Sequence, residues 1–388
     1  MKEGWETATL GDTCEMYQPK TISGKEMVED GKYPVFGANG IIGRYDKYNH
    51  EEPQLLITCR GATCGSVNIS EPKSWVTGNA MVIRPKNEII GLRFLEYLFR
   101  GGIDISKAIT GAAQPQITRT NLIPLEIRYP VSVKEQKRIV AILDEVFAEI
   151  ETAAANAEKN LANARELFES YLNAVFTQKD GSPIVLIGEV AQVFDGPHAT
   201  PKTVEAGPIF LNISALQDGK INLGKTRHVT PEDFKKWTRR VVPKADDIVF
   251  SYETRIGQAA IIPSDLECCL GRRMGLVHVN KSRLNPRFFV YQYISPPFRR
   301  FLDSRTLRGA TVDRISIKEF PEFPFKLPRL EEQENMVDHL DTLREKILRL
   351  ESINQRKLAA LTELKQSILQ KAFTGELTAQ PAGQEVLA

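Results

Sequence analysis

Two stretches of the chain carry apolar residues at alternating steps of four and three. The first puts Ile139, Leu143, Val146, Ile150, Ala153, Ala157, Asn160, Ala164, Leu167 and Tyr171 on one stripe. The second puts Met336, Leu340, Leu343, Ile347, Leu350, Asn354, Lys357, Leu361, Leu364 and Ile368 on another at the same phase. Sustained over several heptads, this spacing predicts coiled-coil helices. No proline or glycine interrupts either run, so each helix should reach about 65 Å at ~1.5 Å per residue. An amphipathic helix of that length cannot bury its stripe alone, so the two are expected to pair with each other. Asn354, inside the second stripe, reads as a register or partner-contact device.

The two stretches are copies. Residues 135–177 align with 332–374 at a constant offset of 197, and 14 of the 43 pairs are identical, among them Glu135/Glu332, Gln136/Gln333, Asp144/Asp341, Leu167/Leu364 and Phe176-Thr177/Phe373-Thr374. The likeness continues more weakly upstream. Thr9-Leu10-Gly11-Asp12 matches Leu186-Ile187-Gly188-Glu189, and Leu56-Ile57-Thr58 with Gly65 matches Val249-Phe250-Ser251 with Gly257. Gly111 followed by Pro124 and Pro130 matches Gly309 followed by Pro321 and Pro328. Before each helix, short apolar runs at 54–58, 80–84, 247–252 and 275–279 alternate with Gly, Pro and Asn turns and predict strands. Residues 94–99 and 288–294 read as short helices. The expected fold class is therefore α+β: two β-rich segments alternating with two long helices that pair as an antiparallel coiled coil.

Composition sets the broad class. The chain has 388 residues, 42% apolar and 26% charged, which is that of an ordinary globular protein with room for two or three domains. No apolar run approaches the ~18 residues of a membrane span, and the amino terminus lacks a signal-peptide core. Five cysteines, Cys14, Cys59, Cys64, Cys268 and Cys269, cannot all pair and match no zinc spacing. A reduced, cytoplasmic setting is expected. The net charge of +2 names no polyanion partner, but its distribution does. Residues 181–327 hold 22 basic against 15 acidic side chains, whereas 1–130 hold 15 of each, 131–180 hold 6 against 9 and 328–388 hold 8 against 10. The third segment can face a polyanion.

Two motifs suggest chemistry and lack its context. Residues 219–226, GKINLGKT, fit the phosphate-loop pattern, but that loop needs a helix starting at its Lys-Thr. Here the next helix start is Thr230-Pro231, several residues late. Ser295-Pro296-Pro297-Phe298 resembles the motif with which amino-methyltransferases hold a flipped base. A glycine-rich strand–turn–helix for S-adenosylmethionine is missing; Phe36-Gly37-Ala38-Asn39-Gly40 has neither flank. The five histidines, His50, His198, His228, His278 and His339, form no local ligand or triad pattern. No catalytic or metal-ligating residue is assigned.

At this point the residues resemble a family, the specificity (S) subunits of Type I restriction–modification systems. The resemblance is carried by residues 55–65 (LLITCRGATCG), 111–117 (GAAQPQI) with Asn121-Leu122-Ile123-Pro124, 328–333 (PRLEEQ) and 369–377 (LQKAFTGEL), and by their duplicated order. It implies target recognition domain 1 at 1–130, helical region 1 at 131–180, target recognition domain 2 at 181–327 and helical region 2 at 328–388. Each recognition domain would read one half of a bipartite double-stranded DNA site, and the helices would fix the spacing and dock two methyltransferase (M) subunits. Restriction (R) subunits, where present, would join them. The family implies no catalysis and no cofactor in this subunit: S-adenosylmethionine belongs to M, ATP and Mg2+ to R. The alternatives are a self-contained DNA adenine methyltransferase, which would bind S-adenosylmethionine alone, and a coiled-coil scaffold with no sequence preference.

Candidate DNA-binding residues follow from side-chain chemistry. Arg grips guanine O6/N7 or phosphate in bidentate fashion, and Gln suits adenine. In the first copy these are Arg60 and Thr63 beside Gly61 and Gly65, with Gln114 and Gln116 after Gly111; Lys20, Lys25 and Arg44 are weaker candidates. In the second they are Arg255, Arg272, Arg273, Arg299, Arg300, Arg305, Arg308, Thr311 and Arg314. Trp75, Trp237, Phe94 and Phe288 read as core. Phe176 and Phe373 read as equivalent apolar anchors that close the two helices, for the β-rich segments or for a methyltransferase subunit.

Overall fold

The computed structural model describes residues 3–178, 180–217, 219–309 and 312–379. The chain divides into two compact units, Met1–Glu158 with Gln355–Ala388, and Lys159–Asn354. The first long helix runs Val133–Thr177 and the second Leu330–Thr374, each 45 residues long. The offset of 197 read from the sequence thus recurs in their boundaries. Each unit combines one β-rich segment with part of each helix.

In the first unit, Cys14–Tyr17, Ala80–Pro85, Leu55–Thr58 and Val67–Ile69 form an antiparallel sheet in that order. All four residues of Leu55–Thr58 are buried, as expected of a continuous apolar run covered on both faces. A smaller sheet orders Gly40–Tyr45, Tyr33–Gly37 and Trp75–Val76, the last pair parallel. Trp5–Thr9 pairs with Glu126–Pro130 and ties the segment's two ends together.

The second unit repeats this order strand for strand. Ala191–Asp195, Met274–Val279, Ile248–Ser251 and Ala259–Ile261 make the four-stranded sheet, and Arg227–His228, Val204–Phe210 and Cys268–Cys269 the three-stranded one. Ile184–Leu186 pairs with Pro324–Lys326. The weak upstream matches fall on equivalent elements. Leu10–Thr13 and Ile187–Val190 are both short helices. The second residue of each is a glycine in close quarters: a Cβ on Gly11 would stand 2.8 Å from Ile123, and on Gly188 3.1 Å from Pro321.

The helices run antiparallel inside each unit. In the first, Lys365 Nζ lies 3.4 Å from Glu151 and 4.8 Å from the centre of the Phe147 ring, while Thr378 donates to Glu135. In the second, Arg165 meets Glu351 at 2.8 Å and the Arg344 guanidinium lies 5.9 Å from the centre of the Phe168 ring. Partner numbers rise on one helix as they fall on the other. Both ends are anchored as expected: Phe373 packs edge-on to Phe94 with centroids 5.6 Å apart, and Phe176 meets Phe288 at 5.5 Å. Phe94 and Phe288 are core; Trp75 and Trp237 are only half-buried.

The buried stripe departs from the strict four–three register. Leu167 and Tyr171 are 54% and 39% exposed, and Leu350 and Leu364 are both 46% exposed. Phe147, Phe168, Leu172, Glu351, Leu358 and Lys365 take the inward places instead. An α-helix turns 3.6 residues at a time, so it drifts by ~20° per heptad from a 3.5 repeat unless it supercoils. Here the drift moves the inward face by one residue partway along each helix. Asn354 is buried, and its Nδ2 donates to the Leu350 carbonyl 2.9 Å away on its own helix.

The repeat's identities mark how the β-rich segments are fastened to the helices. Gln136 is buried; its Oε1 accepts from Gly91 N at 3.0 Å, and its Nε2 donates to the carbonyls of Ile89 and Pro130 at 2.6 and 2.9 Å. Gln333 does the same with Asn285 N, Arg283 O and Pro328 O at 2.9, 2.9 and 2.8 Å. One side chain thus satisfies three backbone groups at the entry of the short helix and at the start of the long one. Asp144 accepts from Tyr97 Oη at 2.6 Å and pairs with Arg93; Asp341 accepts from Tyr291 Oη at 2.5 Å and pairs with Arg287. Gln333→Leu keeps the size but strands those three backbone groups, so the second unit should lose about 1–3 kcal/mol for each group that finds no other partner. Denaturant titration with hydrogen exchange checks this: faster exchange should be confined to that unit.

Candidate nucleic-acid interface

Each unit presents an exposed loop braced by an exposed hairpin. In the first, strand Leu55–Thr58 runs into Cys59 and Arg60, then turns through Gly61 and Gly65, both at positive φ of +86° and +91°. The hairpin comprises Ile109–Thr110 and Gln116–Ile117. Ile117 N donates to Cys59 O at 2.9 Å and Gly61 N to Pro115 O at 3.1 Å, so Arg60 and Gln116 face each other as an antiparallel bridge. Gly111 is required here: at φ +86° a Cβ would stand 2.6 Å from Gln114 O. Arg60, Thr63, Gln114 and Gln116 are all exposed. Thr63 Oγ1 accepts from Asn39 Nδ2 at 2.7 Å, and Asn39 Oδ1 accepts from Thr58 Oγ1 at 2.8 Å, so the Ala38-Asn39 turn is stapled to the loop.

The second unit builds the same frame from other side chains. Strand Ile248–Ser251 leads into Tyr252 and Glu253, and the turn passes Thr254 and Gly257 at φ +65° and +85°. Ile315 N donates to Tyr252 O at 2.8 Å and Thr254 N to Asp313 O at 3.2 Å, so Glu253 faces Arg314 where Arg60 faces Gln116. Arg314 also bridges Leu307. Arg273 pairs with Glu253, its Nε 2.9 Å from Oε2. A cleft of about 660 Å3 beside them is lined by Asn212, Lys225, Thr226, Arg227, Arg272 and Arg273 among others.

The remaining sequence candidates are placed variously. Arg272 is exposed, and Arg255 Nη1 donates to Ile213 O at 3.0 Å. Arg299 lies 3.6 Å from Glu169, and Arg300 Nη2 donates to Asn173 at 3.1 Å, so both reach the first long helix. Arg305 sits over the Phe301 ring, 5.5 Å from its centre, and Arg308 pairs with Asp303. Thr311 lies outside the described residues. Arg44 donates to the carbonyls of Gly31 and Lys32 at 2.5 and 2.9 Å.

Sequence reasoning passed over Asn39, Glu253, Thr254, Lys225 and Arg227, and over Lys236, Arg239 and Arg240 around a neighbouring cleft of about 590 Å3. The run 235–240, KKWTRR, was the readable signal for the last group. Matching Arg60 to its copy would have exposed Glu253.

The other chemistry is quiet. The 219–226 motif holds a strand at Lys220–Ile221 and a 3-10 turn at Leu223–Lys225, and a second strand follows at Arg227–His228; the next helix begins at Pro231, capped by Thr230. Ser295 caps the helix Pro296–Ser304, which accounts for its SPPF run. Burial pushes the Cys268 and Cys269 thiols up to about 12, which keeps them neutral. Among the described residues, no His, Cys, Asp and Glu cluster is placed to hold a metal, and no helix is long and apolar enough to cross a membrane.

Comparison with known proteins agrees with the duplicated architecture. The family described as "Type I restriction modification DNA specificity domain" matches residues 2–159 and again 185–360. The Type I restriction enzyme EcoDI specificity subunit of Escherichia coli is 22% identical over 97% of this chain and 89% of its own length. The EcoBI specificity subunit, also of Escherichia coli, is 25% identical over 46% of this chain and 37% of its own. A chain solved in a study of type I R-M complex assembly and conformational transition aligns over 97% of this chain and 99% of its own, with TM-score 0.76 at 19% identity. The HsdS subunit from Thermoanaerobacter tengcongensis aligns over 97% and 98%, with TM-score 0.56 at 20% identity; at these identities the likeness speaks for the fold. With both of its β-rich segments matched in turn, the chain belongs to the Type I restriction–modification DNA specificity domain family.

Proposed function

We propose that the chain is the specificity subunit of a Type I restriction–modification complex, in which each β-rich segment reads one half of a bipartite double-stranded DNA site. The observation that carries this is the braced loop. Two units keep one backbone frame, yet Arg60 opposite Gln116 in the first becomes Glu253 opposite Arg314 in the second. A constant frame with exchanged hydrogen-bonding side chains suits two readers of different base sequences. The long helices act as the spacer between the half-sites and as the docking surface for two methyltransferase subunits, and their exposed Leu167, Leu350 and Leu364 supply apolar surface for that contact. S-adenosylmethionine is held by those subunits; ATP and Mg2+ serve restriction subunits where the system cleaves. This subunit itself catalyses nothing.

The test is genome-wide mapping of methylated adenines in a host expressing the chain with its methyltransferase subunit. The expected result is a split motif, two short half-sites around a fixed gap, that vanishes when this gene is deleted. Methylation by a verified active methyltransferase that shows no split motif would overturn the reading.

A further inference from the structure

Four non-glycine residues among those described have positive φ: Lys73, Asp246, Thr254 and Arg273. Two of them touch: Arg273 Nη1 lies 3.3 Å from Thr254 Oγ1. A β-branched residue in the left-handed region is a genuine outlier, and such strain gathers where side chains are put to use. The first unit shows that the frame does not need it. Thr254 occupies the place of Gly61, which reaches φ +86° without a side chain to clash. Arg273 occupies the place of Asn79: Tyr252 N donates to Arg273 O at 3.3 Å as Cys59 N does to Asn79 O at 3.4 Å. Asn79 is not among the positive-φ residues. The second unit therefore carries two strained residues where the equivalent positions of its copy carry none.

Those two residues fix a guanidinium. Arg273 Nε is 2.9 Å from Glu253 Oε2, and both side chains are largely buried, at 28% and 19% exposure. The carboxylate holds Arg273 as an ion pair, with Nε itself making no hydrogen bond, and Nη1 donates to Thr254 Oγ1; the other N–H donors are left for the cleft that Arg273 lines with Arg272, Lys225 and Arg227. The carboxylate also offsets the Arg273 charge, which makes Arg273 a weak phosphate partner and leaves its directional hydrogen bonding intact. Arg272, next in the chain and exposed, has the ordinary character of a phosphate contact.

We infer that Glu253, Thr254 and Arg273 form a specificity-determining cluster in the second unit, in which Glu253 and Thr254 position Arg273 to read a guanine through its O6 and N7 acceptors in the major groove. The inference rests on the DNA-reading function proposed above and assigns the group that performs part of it.

Two variants of the full chain, assembled with its methyltransferase subunits, test the cluster. Arg273→Lys keeps the charge and a partner for Glu253 but loses the fork. It should lower discrimination at one base pair of one half-site by about tenfold or more, with the other half-site unchanged. Thr254→Gly restores the residue type used at position 61; it should leave the melting temperature of the second unit unchanged or raised while relaxing the same base pair. Arg273→Ala should leave the slope of log affinity against log salt unchanged, whereas Arg272→Ala should reduce it by about 0.9, the value for one phosphate contact on duplex DNA. A wild-type motif from both Arg273→Lys and Thr254→Gly overturns the inference and leaves the split-motif reading standing, as does a reduced salt slope for Arg273→Ala with an intact motif. A wild-type complex that yields no split motif is a failure of the function itself.

Discussion

Replacing Phe373 with alanine will destabilise the first unit by about 3–5 kcal/mol, the usual loss for a buried aromatic. Phe373 comes from the second long helix and, with Leu369 and Ala372, completes a core whose other buried members lie in the first 150 residues. It lies against Phe94 in one cluster with Leu98, Phe147, Leu369 and Ala372. The fit is close: a Cβ on Gly101 would stand 2.7 Å from Leu369, and one on Gly102 2.7 Å from Phe373. Because the two units have separate hydrophobic clusters, the loss should be local. Hydrogen exchange should quicken in residues 92–102 and 355–374 and hold its rate in residues 248–294. A uniform loss of protection in both units would refute the separation. The order of assembly follows: the first unit cannot complete its core until the last helix of the chain has been made.

The helices and their duplication were legible in the sequence because periodicity and self-similarity are written in side-chain type. The boundaries Val133–Thr177 and Leu330–Thr374 repeat at the same offset of 197, and the anchors Phe176 and Phe373 do what their equivalence predicted. The identities at Gln136/Gln333 and Asp144/Asp341 were equally visible, but not their roles. Both glutamines bond only to backbone groups, and a backbone carbonyl leaves no mark in a sequence. The inward phase of the helices was misread at Leu167 and Leu350 because a heptad template assumes a supercoil that the helices do not keep throughout.

The candidate interface was harder to read for a related reason. A search for DNA contacts by basic residue type collects Arg299 and Arg300, whose partners Glu169 and Asn173 lie more than a hundred residues away, and misses Arg227, Arg239 and Arg240, which line the clefts. The same search discards Glu253 for its charge, although Glu253 occupies the position of Arg60. What distinguishes a reading position is the frame that holds it, and the frame is a set of long-range backbone hydrogen bonds.

That frame sets the second large effect. Replacing Arg60 and Gln116 together with alanine should abolish reading of part of the first half-site and leave the second half-site as it was. Each lost bidentate contact should cost about 1–3 kcal/mol of discrimination, or roughly ten- to a hundredfold. The fold should survive, because the bridge between the two residues is made by their neighbours' backbone, Ile117 N to Cys59 O and Gly61 N to Pro115 O, and neither substitution removes those groups. Both side chains are exposed, so their truncation opens no cavity. Methylation mapping of the variant complex should therefore show a motif degenerate at one or two adjacent positions of one half-site, with the gap length unchanged. A motif weakened evenly across both halves would instead mean that Arg60 contacts phosphate, since a phosphate contact lowers affinity without regard to base. An unchanged motif would remove the loop from the interface, and with it the physical reason for a frame that both copies retain while its side chains change.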